Sequence, residues 1–165
     1  MALGPRMHGA SNQPDAKNAY MESVRLIEQL HRRFLEVVQA ELKLQGVGDI
    51  NNVQALMVLH IGTTELTVTD LLKRGYYLAS NVSYNARKLA DNGYLTQTRS
   101  TADRRSIRLR LTPRGLALHR QLNQMIDRQV EALIDVAEPD ELQQATRAFR
   151  DLGDFWHNLR RLGDF

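Results

Sequence analysis

A chain of 165 residues with 42% hydrophobic and 25% charged residues has the composition of a globular protein with one buried core. No apolar run approaches the roughly 20 residues that a membrane-spanning helix needs, and the lack of cysteine excludes disulfides, thiolate metal sites and cysteine redox chemistry. The formal net charge is only +3, but Ser80 to Arg114 holds eight Lys and Arg against two Asp and Glu, so the remainder is net acidic and the basic stretch has the charge of a polyanion-binding surface.

Residues 1–17 are polar, rich in Gly, Pro and Ala, and carry no apolar core of a secretory signal. They are expected to form a disordered tail ahead of a single protomer spanning 18–165, in keeping with a cytoplasmic protein that inserts into no membrane. From Tyr20, apolar residues recur as Val24, Ile27, Leu30, Phe34, Val38 and Leu42, the spacing of one helical face, until Gly46 and Gly48 end it. Asn51 or Asn52 can cap a second, shorter helix with Val53, Leu56, Met57 and Leu59, closing near Gly62. Thr67, three residues before Asp70, offers a cap for a third helix from Val68 to Arg74, stopped by Gly75.

After a turn at Tyr76 to Ala79, Ser80 to Asn92 reads as a fourth helix that Gly93 terminates. At 100° per residue, Val82, Ala86 and Leu89 share one side of it, while Ser80, Tyr84, Arg87 and Lys88 fall opposite, flanked by Asn81 and Ser83. Two strands follow, Tyr94 to Arg99 and Ile107 to Leu111. In the second, Ile107, Leu109 and Leu111 alternate with Arg108 and Arg110. The loop between them carries Asp103, Arg104 and Arg105 at its tip. Thr112 and Pro113 then open a helix that runs to about Val136, Thr as cap and Pro at the first helical position. Pro139 begins the last helix, where Leu142, Ala145, Phe149, Leu152, Trp156 and Leu159 form a heptad-like seam. Such a seam requires a second helix against it, from the same chain or from another copy.

Two short helices joined by a tight turn and followed at once by a basic hairpin are the ordered parts of a winged helix-turn-helix. The fold class is therefore mainly α (α+β), a DNA-binding lobe at about 50–112 with a two-stranded wing, flanked by long helices at about 18–46 and 113–162, which the resemblance given next implies are dimerisation helices. Short polar groups on the fourth helix suit base edges and its cations suit phosphates or guanine. At the wing tip, a planar guanidinium from Arg104 or Arg105 can enter a narrow minor groove, with Asp103 orienting it.

The stretch SNVSYNARKLADNGYLTQTRSTADRRSIRLRLTPRG resembles the recognition helix and wing of MarR-type regulators, most specifically at Asp103-Arg104-Arg105 and at Leu111 to Gly115. The resemblance implies a homodimer that binds a pseudo-palindromic operator in double-stranded DNA. Ser80 to Lys88 would touch bases and phosphates, Arg104 and Arg105 the minor groove, and Thr67 and Thr69 the backbone. It implies dimerisation through the first and last helices, with Leu142, Phe149, Leu152, Trp156 and Leu159 at the interface. It also implies release of DNA by a small aromatic or phenolic effector, for which His31, His60 and Tyr77 are the candidate lining residues. One departure is the turn Gly75-Tyr76-Tyr77-Leu78-Ala79, bulkier than the small turn usual in such proteins.

The five histidines lack metal-ligand spacing, and no phosphate loop, nucleophile with a paired base or carboxylate pair is present, so neither a cofactor nor catalysis is expected. A winged helix can also serve as a protein-interaction or RNA-binding module. The polar helix face, with Tyr84 its one large apolar group, argues against a protein partner. Competition between RNA and duplex DNA separates the other two.

Overall fold

The computed structural model describes residues 13–73, 79–99 and 107–162. In chain order the elements are α1 (Gln13–Leu44), α2 (Asn52–Ile61), β1 (Leu66–Thr67), α3 (Val68–Lys73), α4 (Ala79–Asp91), β2 (Leu95–Arg99), β3 (Ile107–Leu111), α5 (Pro113–Ile134) and α6 (Pro139–Leu162). The chain divides into one unit ending at His119 and a second beginning at Arg120.

Among the described residues the first helix is already present at Gln13, ahead of residue 18. Pro14 and Asp15 suit that position: proline is tolerated in a first turn, where its missing N–H has no helical partner to lose, and a carboxylate there meets the positive end of the helix dipole. At the other end, Gly46 takes φ 68°, and the N–H of Val47 reaches back to the Leu42 carbonyl at 2.9 Å, which satisfies a terminal acceptor. The apolar face of α1 is divided. Val38 and Leu42 are buried where α1 meets α2, whereas Tyr20, Leu30 and Phe34 remain exposed.

Of the two candidate caps for α2, Asn51 is the one used. Its side chain accepts from the Gln54 N–H at 2.9 Å, and the Gln54 side chain accepts from the Asn51 N–H at 3.0 Å, closing a reciprocal capping box. Thr67 and Asp70 do the same for α3: the Asp70 N–H donates to the Thr67 hydroxyl at 3.1 Å and the Thr67 N–H to the Asp70 carboxylate at 3.0 Å. The Thr112 hydroxyl accepts from the Gly115 N–H at 3.1 Å, capping α5 as Pro113 at its first position leads one to expect.

The sheet has three antiparallel strands in the order β1-β3-β2, one more than the expected hairpin. Leu66 and Thr67 pair with Leu109 and Arg108, so β3 is bonded on both sides. Leu109 and Leu111 point into a core shared with Met57, Val58 and Ile61 of α2, Leu71 of α3, and Val82, Ala86 and Leu89 of α4. Ile107, expected to face inward with them, is 39% exposed. It pairs with Arg99 at the far end of the hairpin, beyond the helices that cover the other two. In the second unit, Leu122 and Met125 are buried. No helix among the described residues is long and apolar enough to cross a membrane.

Candidate nucleic-acid interface

Helix α4 divides along its length as its sequence dictates. Val82 and Leu89 are fully buried and Ala86 nearly so, while Asn81, Ser83, Tyr84, Arg87 and Lys88 are exposed, Tyr84 at 60%. Ser80 lies in the first turn of the helix, its side chain outside the described part. Among the described residues Arg87 and Lys88 have no carboxylate partner, so their full charge is available to an approaching polyanion.

At the start of α3, the Thr67 hydroxyl donates to Asp70 at 2.7 Å as well as accepting from its N–H. Engaged in the cap and half-buried, it is less available than Thr69, which is exposed. In the hairpin, Arg108 forms an ion pair with Glu65 at 2.6 Å, whereas Arg99 and Arg110 point to solvent. The wing-tip residues Asp103, Arg104 and Arg105 lie outside the described residues, as does Tyr77.

The C-terminal end of α4 is fastened by a cluster that sequence reading did not find. Gly93 has φ 75°, and the Tyr94 N–H donates back to the Leu89 carbonyl at 2.9 Å, ending the helix in a left-handed turn. The Tyr94 hydroxyl donates to Asp49 Oδ1 at 2.8 Å and the Asn92 side chain donates to the Asp49 carbonyl at 2.6 Å. Arg114, at the start of α5, pairs with Asp49 Oδ2 at 2.8 Å, donates to the Asn92 carbonyl at 2.6 Å and lies 4.1 Å over the Tyr94 ring. Burial, the hydrogen bond to Asp49 and the charge of Asp49 together hold the Tyr94 hydroxyl above its ordinary pKa of 10.0, with Arg114 pulling the other way. Separations of 45 and 65 residues put these partners beyond any local pattern.

A second unforeseen contact lies under the helix. Asn85 and Gln54 are buried and joined side chain to side chain at 3.2 Å. The Asn-x-x-Gln spacing of residues 51 to 54 signals the capping box, but nothing local signals the bond to α4.

Residues 46–106 match the MarR family. A transcriptional activator of exopolysaccharide II synthesis from Rhizobium meliloti, ExpG, is 37% identical over 151 residues, which are 90% of this chain and 77% of that protein. The chain belongs to the MarR family. Among solved structures, FabT of Streptococcus pneumoniae in complex with DNA superposes with a TM-score of 0.68 at 23% identity, covering 85% of this chain and 99% of that one. BpsR of Bordetella bronchiseptica, whose DNA binding is regulated by 6-hydroxynicotinic acid, gives 0.63 at 18%, covering 79% and 91%. These likenesses establish the MarR winged-helix fold.

In this MarR-family chain His31 and His60, the candidate effector residues that are described, line neither of two open grooves. His31 is exposed on α1 and His60 is half-buried in the last turn of α2. The two described grooves are open, one of 560 Å³ along α1 between Asn18 and Glu28, the other of 310 Å³ along α6 between Leu142 and Arg150. Of the candidate interface residues on α6, Leu142 and Phe149 are exposed at 42% and 50%, and Leu152, Trp156 and Leu159 are half-buried.

Proposed function

We propose that this MarR-family protein is a homodimeric, sequence-specific regulator that reads a pseudo-palindromic operator, placing α4 in the major groove and the β2–β3 wing beside it. The observation that carries the reading is the division of α4. Its apolar side is buried against α2, α3 and β2, and its outward side offers Asn81, Ser83, Tyr84, Arg87 and Lys88 in one strip. Asn and Ser suit base edges, and Arg and Lys suit guanine or phosphate. Asp103, Arg104 and Arg105, by their place in the sequence, extend the contact from the wing into the minor groove, and Thr69 with Thr67 adds the phosphate backbone. That FabT, which shares this fold, was solved in complex with DNA supports DNA as the partner of this chain.

Two copies are needed because one short helix reads only a few base pairs. A two-fold dimer doubles the contacts and makes the site symmetric. Exposed Tyr20, Leu30 and Phe34 on α1 and Leu142 and Phe149 on α6 are large apolar groups of the kind an interface covers. Accordingly, residues 18–46 and 113–162 serve dimerisation and about 50–112 reads DNA. Regulation of BpsR by an aromatic acid supports a small-molecule effector here, with His31, His60 and Tyr77 as its first candidate contacts. The activating role of ExpG supports activation of transcription by this chain.

The test is selection of duplexes from random sequence by the full chain at two salt concentrations, with single-stranded RNA as competitor. Enrichment of an inverted repeat with salt-dependent affinity is the expected result. Failure to enrich any sequence, or equal competition by RNA, overturns the reading.

A further inference from the structure

A recognition helix must be held at one rotation about its own axis, because a modest roll carries a different side chain to the base edges. Apolar packing opposes that roll by the fit of shapes alone. Val82, Ala86 and Leu89 form a stripe of small and branched groups, and hydrophobic and dispersion contacts have no direction.

One buried contact on α4 does have direction. Gln54 is 5% exposed and Asn85 7%. Gln54 Nε2 donates to Asn85 Oδ1 at 3.2 Å, and Asn85 Nδ2 donates to the Asn81 carbonyl at 2.9 Å. Gln54 Oε1 is itself held by the Asn51 N–H at 3.0 Å. Every amide oxygen in this line accepts and every amide nitrogen donates, so neither side chain can be turned over without setting like groups face to face. The next residue, Asn52, donates to the Leu35 carbonyl of α1 at 3.1 Å. A continuous polar line thus runs from the backbone of α1, through the N-terminus of α2, to the middle of α4 between the exposed Tyr84 and Arg87.

We propose that Gln54 and Asn85 are positioning residues that set the roll of α4 and thereby the discrimination between operator and other duplex DNA. The proposal rests on the DNA-reading function argued above. Both side chains are buried and act through the exposed face they orient. A buried amide pair is a poor device for stability alone, since an apolar pair of similar shape is often neutral or better. What an apolar pair does not supply is a unique angle. Long cations reach phosphates across a small roll, whereas bidentate hydrogen bonds to base edges do not tolerate one. Loss of the pair therefore has a selective signature, with general DNA affinity kept and discrimination lost.

The experiment compares the wild-type full-length chain with the double variant Gln54→Met/Asn85→Leu, which removes both amides together. Affinities are measured at one salt concentration for the duplex enriched by the wild type and for a random duplex of equal length, with folding and assembly followed by circular dichroism and sedimentation. The expected result is random-duplex affinity within about twofold of wild type and a specificity ratio lower by about tenfold or more, comparable to loss of one base contact. A folded double variant with an unchanged ratio overturns the proposal. Asn85→Ser keeps the test open should the double variant not fold. Its hydroxyl can still donate to the Asn81 carbonyl but is too short to reach Gln54, so a lowered ratio supports the interhelical role and an unchanged ratio overturns it. A wild type that enriches no duplex refutes the DNA-reading assignment itself, and this proposal with it.

Discussion

Asp49 uses both carboxylate oxygens to bind Tyr94 and Arg114, each at 2.8 Å, and so fastens the end of α4 to the beginning of α5. The two contacts differ in worth. Asp49 and Arg114 are 39% and 55% exposed, so their attraction is screened by solvent, whereas the Tyr94 side chain is almost fully buried. Double-mutant cycles in urea are expected to give a coupling below about 1 kcal/mol for Asp49 with Arg114 and about 1–1.5 kcal/mol for Asp49 with Tyr94. The reverse order would place the strength of the clamp in its charge.

The same hydroxyl gives the protein an alkaline limit. Folding raises the Tyr94 pKa above 10.0, chiefly through burial, then through the bond to Asp49. The stabilisation that accompanies a raised value is complete below the unfolded pKa near 10 and is lost as pH climbs through the folded one. Unfolding measured from pH 8 upward is expected to show stability falling above about pH 10, and Tyr94→Phe is expected to flatten that fall at the expense of a lower plateau.

Gly115 is pressed against the clamp. A Cβ there would fall inside the van der Waals envelope of the Tyr94 carbonyl oxygen and close to Leu111. The Tyr94 carbonyl cannot retreat easily, because it accepts from the Thr112 N–H at 3.1 Å. Gly115→Ala is expected to cost about 2 kcal/mol or more by thermal or urea unfolding, although alanine favours a helix elsewhere.

For the wing, Arg104→Ala with Arg105→Ala is expected to weaken operator binding by tenfold or more, about the worth of one good base contact. The slope of log affinity against log salt should fall by about 1–2. Sedimentation should show an undisturbed dimer. Operator affinity equal to wild type would count against the wing as a DNA contact.

Trp156→Ala, at the centre of the α6 seam, is expected to shift the protein toward monomer in sedimentation and to lower operator affinity indirectly. A dimer of unchanged stability would move the interface elsewhere on the helices.

What was legible in the sequence was periodic. The two faces of α4 follow from 3.6 residues per turn, the span of β3 from its alternation, and the starts of α3 and α5 from Thr67 and Thr112. What was not legible depends on distant partners. A two-residue strand such as β1 has no period of its own and exists because β3 passes beside it. Asn85 falls beside the apolar side of α4, and its partner Gln54, 31 residues away, has no local signal. Ile107 shows the opposite case, correctly phased for the core yet beyond the reach of its cover.

The strand order β1-β3-β2 makes the inner strand of the wing a central strand, bonded to the segment that leads directly into α3. The base of the wing is thereby tied to the helix-turn-helix as part of one sheet, rather than hinged on a two-stranded ribbon. The two ends of α4 and the paired part of the wing are thus parts of one rigid frame. On the DNA-reading function proposed above, the base of the wing and α4 would meet the duplex at a set separation, so a base pair inserted within a half-site is expected to throw one contact out of phase. An insertion at the centre of symmetry would instead test the proposed dimer.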